Sequence, residues 1–429
     1  MFRRLAQPFV FVLVAVALAT TRAAAQTTPP PPVPDQTAPF FDDTVLQEVR
    51  LAINNKDWNT LKTNYLANDY YPCDFKWGAI TVRNVGIRSR GTGSRSGVKP
   101  GLRVDFDRYT TDQKFLGMKS FVLRNNIQDY SNMHERISML FFRRMGLVPP
   151  REAHTKLYIN NVYEGLYSIV ESIDKDFLTR TYAENDGYLY KFDANPGDSP
   201  YYFIYGGPDA SLYVPHPFKP ETHESDPHPQ PIVDMIRTVA EASDAVFRSQ
   251  IAQFLDLTKV VKHVAIELFL GDNDGFTGNY GMNNFYLYRF QNQNLHTLIP
   301  WDKSEAFRDG PSYPILHNLN DVPDQNRNRL IVRALQSDDL RNLFYDTMLA
   351  CAASLSELAV TEPPTVPPDS RSWMEREVDR EYVQIKDAVL ADPQKAYTND
   401  QFNLAVEDLR VFARERSAFV TSQVQAYRP

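Results

Sequence analysis

Apolar and polar residues alternate along 81–90 (TVRNVGIRSR) and again along 101–107 (GLRVDFD), the period of two expected of half-buried strands. Strand character also marks 45–53, 119–124, 156–160, 162–170 and 187–192, with a turn at Asn160-Asn161 joining the two middle segments. A helical period marks 131–145, where Met133, Ile137, Leu140, Phe141 and Met145 share a face. Ser131 is its predicted N-cap and Gly146 its stop. Short helices are predicted over 55–66, around Trp58 and Leu61, and over 175–182. Longer ones are predicted over 232–254, 257–270, 325–356, 373–390 and 400–427, while 194–230 has no period and reads as loop. Strands gather in the first half and helices in the second. The predicted class is α+β, with a strand-rich N-lobe over 42–174 and a helix-rich C-lobe over 175–429.

The chemistry concentrates in 265–307. An apolar helix ends in a loop holding Asp272, Asp274 and several asparagines; NFYLYRF, a polar QNQN turn and LHTLIP then form a hairpin that returns to Asp302. Two carboxylates and an amide on adjacent backbone segments suit hard cations and phosphates, which take oxygen ligands in fixed geometry. The D-x-D-G text alone also fits a calcium-stabilised loop, though the remaining ligands of an EF-hand are missing. A glycine/serine turn over 91–97, flanked by Arg88, Arg90, Arg95 and Lys99, joins two of the strands. It reads either as a mobile flap offering backbone N–H groups to phosphate or as an ordinary hairpin turn.

Composition narrows the class. A chain of 429 residues with 12 % aromatics can bury a large core. A net charge of −7 and the lack of a basic stripe argue against nucleic acid as partner. Residues 1–25 read as a signal peptide: Arg3 and Arg4, then an apolar run over 9–19, then Ala23-Ala24-Ala25. That run is short for a membrane span, so a secreted, periplasmic or cell-surface chain with no span after cleavage is expected. Residues 26–41 read as a Pro-rich spacer. Export permits a disulfide between Cys73 and Cys351, but their positions leave the pairing open.

In order from about 45 through 307, VGIRSRGTGSR, KPGLRVDFD, FFRRMG, LYINNVYEGLYSIVESID, GYLYKF, DGFTGNYGMNNFYLYR and IPWDKSEAF resemble the spore-coat-H (CotH) family of secreted atypical kinases. The resemblance implies a protein-kinase-like two-lobed fold and transfer of the ATP γ-phosphate, with Mg²⁺ or Mn²⁺, to Ser or Thr of an extracytoplasmic protein. It assigns Asp274 as catalytic base and Asp302 as metal ligand. Asn284 is the expected second metal ligand; Asn279, at the spacing from the base that kinase catalytic loops use, is the alternate. Lys99 is expected on the phosphates, with Glu135 as its ion-pair partner, Lys191 as a second candidate cation and Arg95 in the flap. Glu171 falls where a hinge backbone would hold adenine. The chain departs from the family at Lys303-Ser304, where a second acid is common. The alternative expectation is a non-catalytic surface, adhesion or coat-type protein that retains the fold.

Overall fold

The computed structural model describes residues 35–194, 197–359 and 369–428; the expected signal peptide and most of the expected spacer lie outside the described residues. The first half comprises β1 (Gln47–Ile53), α1 (Asn55–Thr63), β2 (Tyr71–Trp77), β3 (Ile80–Ser89), β4 (Leu102–Asp105), β5 (Ser120–Arg124), α2 (His134–Arg144), β6 (Glu152–Ile159) and β7 (Val162–Glu171). The strands run β1-β2-β3-β4-β5-β7-β6, and parallel pairing of β1 with β6 closes them into a barrel. Alternation explains the closure: Val49, Leu51, Val85, Ile87, Leu102, Val104, Phe121 and Leu123 all face one apolar interior. Asn160 and Asn161, at φ of 50° and 66°, make the tight turn from β6 to β7.

Three expectations are corrected in this half. β2 escapes the pattern because only Cys73 and Phe75 of YPCDFKW point inward, with a register shift between them. The spacer ends earlier than residue 41, because Phe40 and Phe41 are buried. Phe40 fills the barrel against Phe75, Phe115 and Phe121, with ring centroids 6.3, 5.1 and 5.0 Å away. Ser131 is not the cap of α2. Asp129 takes that role, accepting from His134 N at 2.7 Å and from Ser131 N and Oγ at 2.8 and 2.6 Å.

The second half comprises α3 (Lys175–Tyr182), β8 (Tyr188–Phe192), β9 (Phe218–Pro220), α4 (Gln230–Glu241), α5 (Asp244–Ile251), α6 (Leu257–Phe269), β10 (Phe285–Arg289), β11 (His296–Pro300), α7 (Arg329–Leu335), α8 (Asp338–Leu355), α9 (Trp373–Leu390) and α10 (Asn399–Tyr427). β11-β10-β8-β9 form an antiparallel sheet. The helices expected over 232–254 and 325–356 each break, at Ser243 and Ser337, where an extended serine starts a new helix. The α+β class, with strands in the first half and helices at the C-terminus, is as predicted.

α6 is apolar nearly all round and packs on α8, which packs on α10. Arg416 of α10 is fully buried and donates to the carbonyls of Leu268 and Phe269 at 2.7 Å each, and to Pro311 and Tyr313 at 2.9 and 2.5 Å. It satisfies carbonyls at the C-terminal end of α6, immediately before the acid-bearing loop. Cys73 lies in the barrel core and Cys351 in the helical core; both are free thiols, so they do not pair.

Candidate active site

The loop after α6 is shaped by a buried ion network. Glu267, on the last turn of α6, accepts from Phe276 N at 2.8 Å, and Asp272 accepts from Asp274 N at 3.2 Å. Lys303 Nζ, fully buried, sits 2.5 Å from Glu267 Oε1 and 2.8 Å from Asp272 Oδ2. A Cβ on Gly275 would come within 2.7 Å of Asp272 and 2.8 Å of Glu267, so only glycine passes between these carboxylates. Lys303, beside Ser304 where a second acid is common in the family, therefore braces the loop carrying Asp274.

The β10–β11 hairpin returns Asp302 to Asp274 as its sequence predicts, with Phe285 opposite Pro300 and Trp301 N donating to Asn284 O at 3.2 Å. Asn283 donates to Asp274 Oδ1 at 3.1 Å. Asn284 donates to Asp274 Oδ2 at 2.9 Å and to its carbonyl at 3.1 Å. Asn284 and Asp302 hold φ of 56° and 48°, a conformation that non-glycine residues keep only when surrounding contacts enforce it. The two acids differ electrostatically. Burial raises Asp274 above the ordinary carboxyl range, opposed by the Asn283 hydrogen bond and reinforced by the Asp302 charge. Burial works the same way on Asp302, but the Arg124 and Arg90 guanidiniums override it and hold that carboxyl at about 2.

Both acids line a cleft of about 610 Å³ between the outer face of the barrel and the β8–β11 sheet, a volume typical of small-molecule sites. Asn284 lines it too, and so does Lys191, whose Nζ is 3.3 Å from Asp193 Oδ1. Arg95 lines the cleft mouth, but its guanidinium is spent on Gly91 O, Tyr65 O, Ala67 O and Asn68 Oδ1 at 2.6 to 3.0 Å. With Asn125 donating to Ser94 O at 2.8 Å, it pins the 91–97 turn that was expected to be mobile.

Four expected residues are elsewhere. Lys99 is buried behind the flap, where Nζ bonds Asp392 Oδ2 at 2.7 Å, so it does not reach the cleft. Glu135 consequently pairs with Arg124 (2.5 Å) rather than with Lys99. The Glu171 side chain is held 2.7 Å from both Arg151 and Arg180; the next residues, Ser172 to Asp174, line the cleft instead. Asn279 is exposed, its Oδ1 accepting from Asn318 at 2.9 Å, and is not a lining residue, which leaves Asn284.

Two arginines at the site were not singled out from the sequence. Arg124, at the end of β5, bridges Glu135 and Asp302, with Nη1 2.6 Å from Asp302 Oδ1. Arg103 of β4 faces the cleft and donates to Ser120 Oγ at 3.1 Å. A cation closing the apolar strand FVLR was the available signal for Arg124.

The donors at the cleft floor are oxygens: the Asp302 and Asp274 carboxylates and the amide carbonyl of Asn284. That set fits Mg²⁺ or Mn²⁺ and not a thiolate-seeking metal. Among the described residues no group of three or more His, Cys, Asp or Glu is arranged to hold an ion unaided. A hard cation there would need ligand phosphates to complete its shell, as Mg²⁺ commonly does.

A barrel and helical half meeting at an acid-and-asparagine cleft define the class, and the comparison with known families agrees. The family model described as CotH kinase protein matches residues 87–363, most of the chain and every cleft residue discussed above, and the chain belongs to that family. It is 24 % identical over 376 residues to the inner spore coat protein H of Bacillus subtilis (strain 168), covering 86 % of this chain and 95 % of that relative. No helix among the described residues is long and apolar enough to cross a membrane.

Proposed function

We propose that the chain is an extracytoplasmic kinase with a kinase-like two-lobed fold, transferring the γ-phosphate of ATP to a Ser or Thr hydroxyl of a protein. One observation carries this reading. Asp274, Asn284 and Asp302 face a set of arginines across a single polar cleft of about 610 Å³, the opposition of oxygen donors and cations that phosphoryl transfer requires.

Asp302 and Asn284 would hold Mg²⁺ or Mn²⁺, which when bound neutralises charge on the transferring phosphoryl group. Asp302 suits this because it remains ionised at every physiological pH. Asp274 takes the acceptor proton as the new O–P bond forms and the bond to ADP breaks. Its raised carboxyl makes it a better base than an ordinary aspartate, and Asn283 and Asn284 fix its orientation. Ser172 to Asp174, in the β7–α3 linker, would supply the hinge backbone for the adenine.

A second reading, a coat or adhesion protein that keeps the fold without turnover, draws on Arg124, which already occupies Asp302 Oδ1. The test is transfer from γ-labelled ATP to a Ser/Thr-rich protein acceptor. Asp274→Asn and Asp302→Asn should each lower turnover by about 10²–10⁴-fold while the fold survives. Undiminished transfer in both variants refutes the assignment.

A further inference from the structure

Arg88, Arg90 and Arg103 line the barrel side of the cleft, a fourth arginine, Arg124, reaches Asp302, and strand register explains the grouping. Arg88 of β3 lies directly opposite Arg103 of β4, and Arg90 follows two residues beyond Arg88, with its N–H on Gly101 O at 2.9 Å. Arg124 ends the neighbouring strand β5. Three of the four already have partners. Arg88 donates to Asn68 Oδ1 at 3.0 Å and Ser89 O at 3.1 Å, Arg103 to Ser120, and Arg124 is paired with Glu135 and Asp302.

Arg90 is different. Its guanidinium makes no hydrogen bond or ion pair with any described residue, and its contact is the face of Trp301, 5.9 Å from the ring centroid. Trp301 immediately precedes Asp302, so the unpaired cation hangs over the acid side of the cleft. It feels the Asp302 and Glu135 charges only at a distance, and a half-buried guanidinium with no direct hydrogen-bond partner is costly and invites an anion. Burial and the Arg124 charge act together on it, pushing its pKa down to about 10, so it remains cationic at neutral pH.

We infer that Arg90 is the residue that takes the phosphate oxygens of a polyphosphate ligand, the task expected of Lys99. The planar fork of Arg90 suits two oxygens of one phosphate, and the Trp301 face limits its movement before the ligand arrives. Arg103 stands beside it on the same sheet face, and Arg124 stays engaged as the clamp on Asp302. This rests on the kinase reading for the identity of the ligand as ATP, but not for its charge.

The experiment measures binding of inorganic tripolyphosphate and of Mg·ATP, separately, to wild type, Arg90→Gln and Arg90→Lys. Arg90→Gln should weaken tripolyphosphate and ATP alike by about 10- to 100-fold, the range for hydrogen bonds to a charged group. Arg90→Lys should lose less. Since Arg90 makes no direct hydrogen bond or ion pair that its loss would orphan, Arg90→Gln should stay folded and melt close to wild type without ligand, which separates lost binding from lost folding. If Mg·ATP binds wild type and Arg90→Gln equally, the inference is overturned and the kinase reading stands. If tripolyphosphate binding falls in Arg90→Gln while ATP binds no better than tripolyphosphate, the inference holds and the nucleotide reading fails. No tripolyphosphate binding to wild type overturns the inference.

Discussion

Lys303→Met tests whether the buried ion network under the Asp274 loop is structural and electrostatic in the way its geometry implies. Methionine keeps the length of the side chain and removes the ammonium. Glu267 and Asp272 are then left buried, with the backbone N–H groups of Phe276 and Asp274 and the His263 ring, 3.1 Å from Glu267, as partners. Lys303 now holds Glu267 at about 2 against the upward push of burial, while burial and the Glu267 charge already raise Asp272, which makes Asp272 the carboxyl readier to take up a proton. Without it, the less costly course is for one carboxyl to take up a proton. At about pH 7.5, some three pH units above the ordinary carboxyl range, that protonation costs about 4 kcal/mol, consistent with the ~3–5 kcal/mol typical of a broken buried pair. At about pH 5.5 the same protonation costs nearer 2 kcal/mol. The sign follows from proton counting: the folded variant holds a proton that its unfolded chain has released, so its stability falls as pH rises. Urea unfolding of both proteins at the two pH values reads the difference directly. Adding Asp272→Asn should recover part of the loss, because one of the two stranded charges is gone. A loss below about 1 kcal/mol, or one that does not change with pH, would show that Lys303 does not neutralise these acids.

Phe40→Ala should cost ~3–5 kcal/mol in thermal or denaturant unfolding, because the ring is fully buried among Phe75, Phe115 and Phe121; an unchanged midpoint would return 37–41 to the spacer. Asn283→Ala removes the hydrogen bond that opposes the raised carboxyl of Asp274. The acid limb of the kcat/KM profile should move up by about half to one pH unit, since the base loses activity as pH falls through its pKa; an unmoved limb argues against Asp274 as base. Neither thiol should react with Ellman's reagent in the native protein, since burial pushes Cys73 up to about 12 and Cys351 higher still, and both should react in denaturant.

The parts of the fold that were legible in the sequence are those where local pattern and tertiary role coincide. β3 and β4 alternate because one face meets the barrel interior, and α9 and α10 begin at capping boxes written out as Ser372…Glu375 and Thr398…Gln401. The hairpin that returns Asp302 to Asp274 is likewise local: two short aromatic or apolar runs around a polar turn. Where the partner is distant, the pattern is silent. Lys99 precedes β4 and is not part of its ladder, so strand parity does not govern where it points. What fixes it is Asp392, 293 residues away, together with the space that burial leaves. Phe40 reads as the end of a proline-rich spacer because four of its five aromatic neighbours come from strands and a loop as far on as Phe121.

The acids of the cleft show what the third dimension adds to a motif. As text, Asp274 and Asp302 are two aspartates on either side of a hairpin, and nothing in their immediate sequence divides the labour between them. In the fold, β5 brings the Arg124 guanidinium onto Asp302, and Arg90 adds its charge, which fixes that carboxyl in its ionised form. Asp274 receives only amides and lies within reach of a like charge, so burial raises it. Two titratable groups driven apart by their surroundings are suited to two jobs, a permanent charge for a cation and a base that can change its protonation. The arginines that divide them come from the barrel, not from the loop or hairpin, so the roles of the two acids depend on the halves of the molecule being folded against each other. Arg124→Gln should therefore lift Asp302 toward the ordinary carboxyl range while leaving the 265–307 backbone in place.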